Sequence, residues 1–127
     1  MRARRCLTAH PRVSKPALLI TAVTLLASVT APASDAETDF FEQRIRPVLI
    51  EHCAGCHSQQ AGKRKGGLLV DSREALLQGG DSGPALVPGD PARSRLIAAV
   101  VATDGDLEMP PKGSLPEALI CDLRTWV

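Results

Sequence analysis

The sequence predicts a small all-α domain of about four short helices, closed around a bound group that completes its core. Three observations carry this. Helix-start signals recur along the chain, no stretch alternates with period two for long enough to make a strand, and aromatic residues are almost missing. Among 127 residues there are two Phe, one Trp and no Tyr. A domain of this size buries only a modest share of its surface and is marginal without added support. A large, flat, apolar ligand would supply the surface that its own side chains lack.

The helix starts come first. In a capping box, an N-cap side chain and a Glu three residues later satisfy each other's orphan N–H groups. Asp39 with Glu42, Asp71 with Glu74 and Ser114 with Glu117 have this spacing, and Asp90-Pro91 adds an N-cap acid followed by proline at the first helical position. Helices are therefore expected over 39–51, 72–78, 91–101 and 115–127. The first places Phe41, Ile45 and Val48/Leu49 on one face, and Pro47 should kink it by removing a backbone donor. The last places Leu115, Leu119, Leu123 and Trp126 on one stripe, which is expected to pack against the first. Turn residues fill the space between, among them Gly66-Gly67, Gly79-Gly80 and Pro110-Pro111. The final helix runs to Val127 with no glycine cap. The expectation is a fragment, or a chain whose C-terminal helix is truncated.

The N-terminus reads as a separate segment. Arg2, Arg4, Arg5, Arg12 and Lys15 precede the run ALLITAVTLLASV, which is short of the roughly 20 apolar residues of a membrane span. Ala31-Pro32-Ala33 then offers small residues at a cleavage site. Residues 1–33 are accordingly read as an export signal and 34–127 as the domain, placed in the periplasm or elsewhere in the cell envelope, with no stable membrane span after cleavage. Cys6 precedes the apolar run and so is not at a lipoprotein cleavage position. Without the signal, ten basic residues face fourteen acidic ones, a net charge of −4. That balance argues against nucleic acid as a partner. Three cysteines remain, Cys53, Cys56 and Cys121, and an odd number argues against a simple disulfide framework.

The chemistry is concentrated in Cys53-Ala54-Gly55-Cys56-His57, a C-x-x-C-H sequence. It is the attachment sequence of c-type haem: two thiols at this spacing can add to two vinyl groups along one macrocycle edge, and the next residue reaches the iron. Zinc and a redox dithiol are the alternatives. Zinc would draw on Cys53, Cys56, one of His52 or His57, and Cys121, without the second tight ligand pair that structural sites use. A thioredoxin-like dithiol would sit in a βαβ setting, and these flanks are helix or coil.

With His57 as a proximal ligand, a second axial ligand must come from distant sequence. Met109 is the one methionine beyond Met1, held in Glu108-Met109-Pro110-Pro111, where the prolines bar a helix. A Met/His pair raises the reduction potential and closes the position that oxygen or peroxide would need; the plain alternative is a core filler. His52 reads as an exposed bystander. Lys63-Arg64-Lys65 reads as a solvated basic loop, with a haem propionate or an acidic partner as the functional alternative. Asp104-Gly105-Asp106-Leu107-Glu108 lacks the spacing of a calcium loop and reads as an acidic lip that orients a redox partner. Leu68, Leu76, Leu86, Leu96 and Ile97 are the expected wall of the haem pocket, and Cys121, off the apolar stripe, reads as a stray, partly exposed thiol, with a cross-link to a missing segment as the alternative.

From Phe40 to Val127 the chain resembles the planctomycete-type cytochrome c domain, a relative of class I cytochromes c. The resemblance lies in FEQRIRPVL before CAGCH, then KGGLLVDSREALLQGGDSGPALVPGDPARSRL, LEMPPKGSLP and DLRTWV. It implies a class I cytochrome c-like fold with one covalent haem, Cys53 and Cys56 as thioether anchors, and His57 and Met109 as proximal and distal ligands. Cys121 is not part of the pattern. The expected function is single-electron transfer to a redox partner protein rather than enzymatic turnover. The alternatives are a haem enzyme or gas or peroxide sensor in which Met109 leaves the iron, and an electron-feeding module of a larger exported enzyme.

Overall fold

The computed structural model of the chain describes residues 33–103 and 107–127. The expected export signal, Cys6 and the Asp104-Gly105-Asp106 part of the acidic lip lie outside the described residues.

Among the described residues, four helices make the frame. The first runs over residues 33–53, the second over Arg73–Gln78, the third over Arg95–Val101 and the fourth over Glu117–Trp126. Pro47 is absorbed without ending the first helix. π turns flank it at Phe41–Ile45 and Leu49–Cys53, where the Arg46 N–H reaches back to the Phe41 carbonyl and the Ala54 N–H to that of Leu49, 2.8 Å away. Widening the turn on either side is one way to take up a residue that cannot donate and whose ring crowds the preceding carbonyls.

The starts differ from the capping boxes. The first helix begins upstream of Asp39. At the second, Ser72 is the N-cap and its hydroxyl accepts from the Ala75 N–H at 3.1 Å, while Asp71 accepts from the Gln59 N–H at 2.8 Å. Asp90 caps a turn rather than the third helix, accepting from the Arg93 N–H at 3.0 Å. Its side chain also takes the Arg93 guanidinium at 2.6 Å, and these bonds hold its carboxyl below the usual range. The helix itself starts after Ser94, whose fully buried hydroxyl donates to the Asp90 carbonyl at 2.9 Å and accepts from the Val87 N–H at 2.9 Å. At the fourth, Pro116 is the N-cap, and no side chain bonds it.

The chain also contains a strand pair that periodicity could not reveal. His57–Ser58 pairs antiparallel with Lys63–Arg64, in the register His57 with Arg64 and Ser58 with Lys63. Two-residue strands are too short to show an alternating pattern.

The first and fourth helices pack as anticipated. The Phe41 and Trp126 rings lie 5.5 Å apart between centroids at 34°, and Arg44 donates to Asp122 through Nη2 at 2.8 Å and Nε at 3.0 Å. Ile45, Val48 and Leu49 are buried from one side, Leu115, Ile120 and Leu123 from the other. Each such side chain contributes about 1.5–3 kcal/mol by leaving water. Ile120 thus belongs to the stripe, while Leu119 and Trp126 are half-buried at its edge.

Candidate functional site

The end of the first helix places the C-x-x-C-H residues. Cys53 closes the last π turn, the Cys56 N–H turns back to the Cys53 carbonyl at 3.1 Å, and His57 begins the ribbon. The ribbon and the segment after it hold this stretch from outside: the Lys65 N–H donates to the Cys56 carbonyl at 3.2 Å and the Val70 N–H to the His57 carbonyl at 2.8 Å. The backbone of the motif is therefore tied on both sides, and its side chains are left for the interior.

Two cavities flank this frame. One of about 620 Å³ lies against Phe41, Ile50, Leu77 and Trp126, and no described thiol, histidine or methionine lines it. The other, about 370 Å³, is lined by Cys53, Cys56, His57 and Met109 together. Its size is within the range of ligand clefts, roughly 300–1,000 Å³. Residues 52 positions apart in sequence, His57 and Met109, thus meet on one cavity. Met109 is held there by its own N–H, which donates to the Ala99 carbonyl at 3.0 Å, and the Met109-Pro110 peptide is cis.

The remaining wall is apolar but only partly as anticipated. Leu68 and Leu96 line this cavity, joined by Val70, Val100 and Leu107. Leu76 and Leu86 line the larger cavity instead, and Ile97 is buried in the core between helices. The fourth side is backbone: Gly66, Gly80 and Gly83 approach without side chains, and the Asp81 N–H donates to the Gly66 carbonyl at 2.8 Å. A Cβ on Gly80 would run into that same carbonyl oxygen. His52, read as an exposed bystander, is half-buried and lines the cavity as well. Its Nε2 lies 4.0 Å from Glu51 Oε2. Of the basic loop, Lys65 reaches the rim, whereas Arg64 turns away to donate to the Gly67 carbonyl at 2.6 Å.

Burial shapes the chemistry of these groups. Cys53 and Cys56 are both free thiols, and burial pushes Cys53 from the ordinary 9.0 up to about 11, so it stays protonated near neutrality. Among the described residues, His57 Nδ1 is buried without a hydrogen-bond partner. An unpartnered ring nitrogen in such a place costs about 1–3 kcal/mol and calls for an explanation. A site that needs this imidazole for something other than fold stability provides one. Two thiols, an imidazole and a thioether around one apolar cavity fit a covalently bound haem. Zinc would need three or more clustered ligands, and among the described residues no such group of His, Cys, Asp and Glu forms. Cys121, anticipated as a stray thiol, is half-buried on the fourth helix and is not one of the free thiols.

No described helix is long and apolar enough to cross a membrane. No curated protein and no solved structure matches the chain. A family model described as Planctomycete cytochrome C matches residues 53–113. That span is narrower than the 40–127 resemblance, beginning at the first thiol of the motif and ending just beyond the Met109 loop. A cytochrome c family implies covalent haem and haem-based electron transfer. The chain thus carries a planctomycete cytochrome C domain over residues 53–113.

Proposed function

We propose that the chain is an exported c-type cytochrome domain that binds one haem and passes single electrons to a redox partner protein. Cys53 and Cys56 would hold the haem as thioether anchors, and His57 and Met109 would supply the ligands to its iron. The observation that carries the reading is the convergence of these four side chains on one apolar cavity of about 370 Å³. When bound, the haem supplies a one-electron ferrous/ferric couple.

The chain's own residues prepare the site. Leu68, Val70, Leu96 and Val100 exclude water from the cavity, and the Ala99 carbonyl holds the loop that presents Met109. The Cys53 thiol, protonated by its burial, is kept from the thiolate that disulfide formation with Cys56 requires. With both His57 and Met109 holding the iron, no position would remain open for a substrate, which favours a carrier over an enzyme or sensor. Residues 1–33 serve as the export signal in this reading and 34–127 as the domain, because c-type haem is attached outside the cytoplasm.

The test is expression with export and a haem maturation system, followed by a pyridine haemochromogen spectrum and addition of carbon monoxide to the ferrous form. A covalent haem with a low-spin spectrum that ignores carbon monoxide is expected. Ready binding of the gas would favour the sensor or enzyme reading, and absence of covalent haem would sink both.

A further inference from the structure

Among the described residues, the charges that line the haem cavity are all of one sign. Lys65 and Arg95 line it, and among the described residues no Asp or Glu does. The surrounding chain is acidic on balance, ten basic against fourteen acidic residues from position 34 onward, so this selection runs against the composition. The two cations come from separate elements: Lys65 opens the turn Lys65–Gly67 and Arg95 opens the third helix, and the fold brings both to this cavity.

Neither is neutralised by a described residue. Arg44, Arg46 and Arg93 each have a carboxylate within 2.8 Å, whereas Lys65 and Arg95 make no ion pair and no side-chain hydrogen bond among the described residues. A guanidinium can hold a carboxylate through two parallel bonds and an ammonium acts as a point charge, so the rim is built for carboxylates.

We propose that Lys65 and Arg95 receive the two carboxylates of the haem. This rests on the haem reading above and extends it from the thioether and ligand groups to the polar edge of the macrocycle. A cation within a few ångströms keeps a carboxylate ionised and weakens its proton binding roughly tenfold or more. Exposed pairs add little to fold stability, so the contribution is read in the cofactor's electrostatics rather than in unfolding.

The test compares the full haem-loaded chain with Lys65→Gln, Arg95→Gln and Arg95→Lys. Midpoint potential is followed across pH, and the propionate bending mode is recorded by resonance Raman. Both Gln variants should move the propionate mode. They should also shift the pH at which the potential changes upward, by proton binding roughly tenfold tighter. Arg95→Lys, which keeps the charge, should stay nearer the wild type. An unmoved mode and unchanged pH profile in both Gln variants would overturn the proposal. The same result with slower, salt-sensitive electron transfer to an acidic protein would assign the cations to partner docking instead. A wild type without covalent haem is a different failure, that of the haem reading itself. Both side chains are exposed, and circular dichroism of each variant checks that it folds.

Discussion

The Met109 N–H donates to the Ala99 carbonyl at 3.0 Å, fastening the loop that carries the thioether to the third helix. Both residues line the cavity that Cys53, Cys56 and His57 also line, so this bond helps to set where the thioether stands in it. Met109→Ala keeps the backbone bond and removes the sulfur. It should lower the reduction potential, since a Met/His pair raises it, and let the ferrous form bind carbon monoxide. Spectroelectrochemistry and gas titration check this. A variant with unchanged potential and no gas binding would place the distal ligand elsewhere.

Cys53 makes the haem-free chain sensitive to alkali. Its thiol is raised by burial from 9.0 to about 11, so below 9.0 it is protonated whether the chain is folded or not, and its contribution is fully present. As pH rises past 9.0 the unfolded chain ionises first, and stability falls until the folded thiol also ionises near 11. Urea midpoints of the apo chain should therefore decline over that window. Cys53→Ala should flatten the decline, and alkylation of Cys53 in the folded apo chain should be slow at neutral pH.

Gly80 stands where two backbones meet. Its φ is not positive, so the constraint is steric and not conformational. Gly80→Ala would push a Cβ against the Gly66 carbonyl oxygen and loosen the Asp81 to Gly66 bond. An overpacking cost of about 1–3 kcal/mol is expected, measured by chemical unfolding, together with reduced haem loading because the same backbone lines the cavity.

The contact between the first and fourth helices offers an internal comparison. Leu123 is 1% exposed, and Leu123→Ala should cost about 2–5 kcal/mol. Asp122 beside it pairs with an Arg44 side chain that is 55% exposed, and Asp122→Asn should cost about 1 kcal/mol or less. Equal losses would mean that the ion pair, and not the apolar stripe, joins the helices.

These residues also show what was legible beforehand. The four helices were foreseen because periodicity and turn residues are local signals. Their exact starts were not, because several candidate caps compete and packing chooses among them. Asp71 had the capping spacing, yet it serves the Gln59 N–H while Ser72 caps. Asp90, followed by Pro91, read as an N-cap and closes a turn instead. Cys53, Cys56 and His57 drew attention because the motif is contiguous, and Met109 because it stood alone between an acidic stretch and two prolines; that the four line one cavity is decided by the fold. The placement of His52 and Arg95 on the cavity was not legible, since it depends on how separate elements cross. For the same reason Leu76, Leu86 and Ile97 carried the right hydrophobicity for a wall and belong to other surfaces.

The measurement closest to the central claim is the intact mass of the exported chain under denaturing conditions, read with its reduced pyridine spectrum. The account predicts one haem retained per chain, bound through two thioethers, and loss of the second attachment in either Cys53→Ala or Cys56→Ala. A chain that leaves its haem in acidified acetone, or that emerges with both thiols free and no haem, would contradict it.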